Sequence, residues 1–100
     1  MIIVKQDKKG IVNLNNVTDI YIDREEDGNR FFVFYIPVSN IDGLDILGIY
    51  ETEERAKEVL QEIIKLYKAT ETFKAISNRI SDEVGAIAIE NGFVYEMPEK

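Results

Sequence analysis

The densest group of side chains able to bind a cation is Asp23-Arg24-Glu25-Glu26-Asp27-Gly28. Its carboxylates recur ahead of a glycine as they do at the start of an EF-hand calcium loop. The twelfth position counted from Asp23 is Phe34, where such a loop needs a bidentate glutamate, and the flanking runs read as strands. A solvated hairpin tip explains the stretch instead. Two acids in different environments can divide the duties of general acid and general base, which nominates Asp42 with Asp45, or Glu51 with Glu54, for hydrolysis. Among 19 acidic residues such pairs arise by chance. Turn chemistry at Asp42-Gly43 and helix-end charge at Glu53 and Glu54 account for them more simply. Ser39 has no activating base, because the chain contains neither histidine nor cysteine, and thiolate chemistry and most transition-metal sites go with them. Gly43 and Gly48 lack the following Lys-Ser/Thr of a phosphate loop. No catalytic residue, metal ligand set or cofactor site is expected.

Binding chemistry is sparse as well. Lys5, Lys8 and Lys9 form a local basic cluster, and Phe31, Phe32, Phe34 and Tyr35 could in principle stack bases. Nineteen acidic against twelve basic residues give a net charge of -7, which opposes a phosphate backbone, so no direct nucleic-acid contact is expected. The opening Met1-Ile2-Ile3-Val4-Lys5 becomes polar far short of a signal-peptide core, and no later run approaches the roughly 20 apolar residues of a membrane span. A cytoplasmic location without membrane contact is the expectation. One hundred residues, 45% of them hydrophobic, fit a single α+β domain over residues 1–100.

The elements follow from period and punctuation. Apolar runs near Ile2 to Lys5, Ile11 to Leu14, Thr18 to Arg24, Arg30 to Val38 and Leu44 to Tyr50 alternate with turn residues such as Glu26-Asp27-Gly28-Asn29. The connections are too short for parallel crossovers, which predicts a five-stranded antiparallel meander. Ala56, Val59, Leu60, Ile63, Ile64 and Tyr67 then recur at helical spacing. They predict an amphipathic helix over about 52–68, with Thr52 as N-cap. Leu66, Ala69, Phe73, Ile76 and Ile80 form a stripe on a rotated face. A shorter second helix from near Thr72 is expected, one continuous helix being the alternative. Asn91-Gly92 between two β-prone runs predicts a C-terminal hairpin, and Pro98 stops its last strand. A pleckstrin-homology-like roll shares the order of meander then helix, but needs seven strands first.

The run Phe31 to Ile36 is apolar at every position, so one strand places large side chains on both faces. One helix covers one face. The other is covered by the C-terminal section or by another protein, most simply a second copy in a twofold dimer. Phe31, Val33, Tyr35, Phe73, Ile76 and Ile80 are the interaction-surface candidates.

Three stretches also form a pattern: Ile2-Ile3-Val4-Lys5-Gln6-Asp7 with Ile11-Val12-Asn13-Leu14, Leu47-Gly48-Ile49-Tyr50-Glu51-Thr52 running to Leu60, and Val94-Tyr95-Glu96-Met97-Pro98. Together they resemble small uncharacterised proteins of phages, integrated mobile elements and their Gram-positive hosts. The resemblance implies a strand-rich N-terminal part followed by a helix, and brings no activity, cofactor or site residue. The functional expectation is a non-catalytic protein-interaction module associated with a mobile element. An acidic decoy for a nucleic-acid-binding site on a host enzyme, or a small carboxylate-based hydrolase, are the alternatives.

Overall fold

Turn residues break the first half of the chain into five strands, three residues each for the first two and six to eight for the others. The computed structural model describes residues 1–39, 43–80 and 93–100, with 74–80 described by backbone. In chain order the elements are β1 (Ile2–Val4), β2 (Ile11–Asn13), a 3-10 turn at Leu14–Asn16, β3 (Val17–Arg24), β4 (Phe31–Pro37), β5 (Asp45–Tyr50), α1 (Glu53–Ile80) and β6 (Val94–Glu96). They form two three-stranded sheets, ordered β2-β1-β6 and β3-β4-β5, so the fold is α+β.

The division into two sheets corrects the expected five-stranded meander. After β2 the Asn13 side chain accepts the Asn15 N–H at 3.0 Å, which turns the chain away before β3 can pair with β2. The second neighbour of β1 is β6, which lies parallel to it with Ile3 opposite Tyr95; the helix supplies the long crossover that a parallel pair requires. The Asn91-Gly92 hairpin lies outside the described residues. Five strands precede α1, short of the seven of the pleckstrin-homology-like alternative.

A second correction concerns the helix. A single α1 of 28 residues replaces the expected pair. Thr52 caps it, accepting the Arg55 N–H on Oγ1 at 3.1 Å, with Glu53 and Glu54 in the first turn. At the change of phase Thr70 donates its hydroxyl to the Leu66 carbonyl, one turn back, at 2.9 Å. This keeps a polar residue inside the helix, and with no glycine or proline between residues 53 and 80 the apolar stripe rotates without a break. Among the described residues no helix is long and apolar enough to cross a membrane.

Ala56, Val59 and Ile63 of α1 are buried with Val33, Leu47 and Tyr50 of the second sheet and Ile3, Val12 and Met97 of the first. A register shift between Val33 and Phe34 leaves Leu47 as an extra residue in β5, and Leu47 enters the core. Its neighbour Gly48 leaves room for the Tyr50 ring and Met97, whose atoms would stand only 3.0 and 3.1 Å from an added Cβ.

Gln6 joins the sheets. Its backbone N–H donates to Leu47 O at 2.9 Å; its side-chain Oε1 accepts the Ile49 N–H at 2.8 Å, and its Nε2 donates to Ile49 O at 2.9 Å. The side-chain amide thus pairs with Ile49 as a neighbouring strand would. Nε2 also reaches the carbonyls of Pro98 and Glu99, each at 3.1 Å, which fixes the C-terminal residues to the same point. Replacing Gln6 with Met keeps length but strands these groups, and is expected to cost about 1–3 kcal/mol in chemical denaturation. Ile63→Ala is expected to cost about 2–5 kcal/mol and Ile64→Ala less than about 1 kcal/mol, because Ile63 is 3% exposed and Ile64 37%. Equal costs would contradict the helix phase.

Candidate functional site

The acidic groups nominated for chemistry are largely engaged in local structure. In the 23–28 loop, Arg30 donates to both oxygens of Glu25, at 2.6 and 3.0 Å, and this hydrogen-bonded guanidinium holds the Glu25 carboxyl below its ordinary range. Asp23 Oδ1 accepts the Arg24 N–H at 2.8 Å. Among the described residues no three acidic side chains are placed to hold a metal ion. Asp42 lies outside the described residues. Asp45 receives Lys5 Nζ at 2.8 Å and the Tyr35 hydroxyl at 3.2 Å; the Lys5 hydrogen bond is the main cause of its lowered pKa, and the same bond raises that of Lys5. Glu51 and Glu54 are exposed beside the helix start.

The most displaced proton equilibria belong to two tyrosines. Tyr50 donates to Pro98 O at 2.8 Å, Tyr95 donates to Glu62 on α1, and Arg55 donates to the Lys100 carbonyl at 3.0 Å. Burial pushes Tyr50 up to about 12; burial, then the Glu62 hydrogen bond, raises Tyr95 as well. Both hydroxyl protons are engaged and held tightly, which suits a clasp fastening the C-terminal residues to β5 and to the helix and not a base working near neutral pH.

The interaction-surface candidates divide. Val33 is 0% exposed, and Phe31 and Tyr35 pack against the core, so this face of β4 is covered by the chain itself. Phe73 is half-buried, edge to face with Phe93 at 6.1 Å between centroids, while the side chains of Ile76 and Ile80 lie outside the described residues. The opposite face of β4 carries Phe32, Phe34 and Ile36, none of them part of the core cluster. Tyr21 lies across from Phe34 with centroids 5.4 Å apart, and Phe32 meets Phe34 edge to face at 5.4 Å. Asp23 and Asp19 stand opposite Phe32 and Ile36, which borders this aromatic surface with carboxylates along β3.

On its other side β3 borders an apolar groove of about 450 Å³, with Val17 and Ile20 on one wall and Leu60, Ile64 and Tyr67 of α1 on the other. Ile64 and Tyr67 are 37% and 44% exposed there. Sequence reasoning placed both in the buried stripe, since helical spacing marks an apolar face but not where the opposing sheet ends. β3 is the outer strand of its sheet, and its backbone pairs on one side only among the described residues. Comparison with protein-family models, curated proteins and solved structures finds no match to this chain.

The tyrosine clasp has a pH signature. Below pH 10.0, the ordinary tyrosine value, both states keep their phenolic protons; above it the unfolded chain loses them first, so stability falls until Tyr50 itself ionises near pH 12. Lys5, raised above 10.5, adds to the loss in the same direction. The urea midpoint is therefore expected to drop steeply above pH 10. Tyr95→Phe should lower stability by about 0.5–1.5 kcal/mol at neutral pH and flatten the alkaline fall. Parallel pH curves for the two proteins would contradict the clasp.

Proposed function

We propose that this protein is a non-catalytic interaction module that docks a partner protein along β3. One observation carries the reading: β3 presents an unpaired edge between two apolar surfaces, the aromatic face of β4 and the groove against α1. Unsatisfied backbone groups beside apolar surface are where a second chain gains both hydrogen bonds and buried area. The ionisable groups with displaced pKa values fit structural duties, which agrees with a role in binding. The resemblance to phage and mobile-element proteins sets such docking in that biological context.

A photo-cross-linking residue substituted at Ile64 or Tyr67, in cells of the natural host, is expected to give one discrete adduct. The same residue at Gln61, on the solvent side of α1, should give none. Adducts of equal yield from all three positions, or substrate turnover by the purified protein in a hydrolase screen, would overturn the proposal.

A further inference from the structure

The two outer edges of the β3-β4-β5 sheet are treated differently. On the β5 side Gln6 supplies backbone and side-chain hydrogen bonds to Leu47 and Ile49. On the β3 side Val17 donates its N–H to Leu14 O and Arg24 its N–H to Asp23 Oδ1, and between them no strand or helix bonds to the outward backbone groups of Thr18 to Asp23 among the described residues. Of the usual devices against strand addition, the middle of that edge has no proline, lysine or bulge, and carries only the charges of Asp19 and Asp23. The register shift in β3 falls at its start, between Val17 and Asp19.

Side-chain alternation gives the edge a definite chemistry. Asp19, Tyr21 and Asp23 share the face of Phe32, Phe34 and Ile36, while Ile20 and Ile22 share the core face. Neither Asp19 nor Asp23 forms an ion pair among the described residues. Two unneutralised carboxylates four residues apart, with an aromatic ring between them, match an incoming strand that carries cations at the same spacing.

The same pattern disfavours a second copy. Antiparallel pairing of β3 with its counterpart across a twofold axis at Tyr21 sets each Asp19 opposite the other chain's Asp23, and like charges directly opposite are destabilising. Moving the register by two residues relieves that clash only by shortening the ladder.

We infer that β3 accepts an extended segment of a partner protein as a fourth strand, with Lys or Arg at two positions four residues apart on one face and apolar residues on the other. The inference rests on the proposed docking role of β3 and names its occupant. The added strand would run about 4.8 Å from β3. Its cations meet Asp19 and Asp23, its central outward residue meets Tyr21, and its inward apolar side chains enter the groove beside Ile20, Ile64 and Tyr67. Backbone hydrogen bonds give the affinity and the two faces give the specificity.

The test is NMR titration of the whole protein with acetyl-Val-Lys-Val-Thr-Val-Lys-Val-amide. Its controls are the peptide with Glu for Lys and the Lys peptide N-methylated at alternate residues in either phase. The lysine peptide is expected to shift the amides of β3 and bind at least tenfold more tightly than the glutamate peptide. One phase of N-methylation should abolish binding. Asp19→Lys with Asp23→Lys should reverse the charge preference, and Asp19→Asn with Asp23→Asn should level it; both positions are exposed, and either pair of substitutions should leave the thermal midpoint nearly unchanged. If both N-methylated peptides bind as well as the parent while cross-links from Ile64 and Tyr67 persist, strand addition is wrong and the docking role stands. Shifts located away from β3, or none with any peptide at about millimolar concentration, overturn the inference; absent cross-links would remove the docking role with it.

Discussion

The side-chain amide of Gln6 is the point on which the two sheets depend. A carboxamide carries the same donor and acceptor pair as a peptide group, so it can complete a ladder where the main chain has already turned away. By engaging both backbone groups of Ile49 it closes the outer edge of β5, and through Pro98 and Glu99 it fixes the end of the chain to the same place. The strands β1, β2 and β6 are three residues each, at the short end of the usual range, and their sheet depends on packing against the rest of the chain. Joined at Gln6 and covered by Ala56, Val59 and Ile63, the two sheets share one core.

The joint makes the two edges of the larger sheet unequal. With β5 closed, β3 is the edge of its sheet whose backbone groups are free to bond to another chain, among the described residues. The clasp of Tyr50, Tyr95, Glu62 and Arg55 holds β6 and the residues after it against β5 and α1. The side-chain hydrogen bonds that join distant elements are therefore gathered around β1, β5 and β6, and the long strand β3 is left with an open side.

Local features were legible in the sequence and long-range ones were not. The helix phase, the Thr52 cap and the placement of β1 to β5 follow from spacing and turn chemistry, which act over a few residues. The division of the sheets depends on Asn13 turning the chain and on Gln6 meeting β5 some forty residues later, and no periodicity encodes either contact. That Phe31, Val33 and Tyr35 lie on the face covered by the chain itself was not legible for a related reason. Phe31-Phe32-Val33-Phe34-Tyr35-Ile36 is apolar on both sides, so β4 alone cannot indicate which face meets the helix. The indication lies in β3, where Asp19 and Asp23 share a face with Tyr21, and it transfers to β4 only once the register places Tyr21 opposite Phe34. A continuous α1 was open as an alternative, and the Thr70 hydroxyl, bonded one turn back, accounts for how the helix passes its change of phase.

The central claim, that β5 is a closed edge and β3 an open one, is tested most directly by amide hydrogen exchange read residue by residue. The account predicts alternating protection from Thr18 to Asp23, with outward N–H groups exchanging fast and those directed at β4 slowly. It also predicts a protected Ile49 N–H that loses its protection when Gln6 is replaced by Ala. Uniform protection along β3, or an Ile49 amide indifferent to the loss of Gln6, would contradict it.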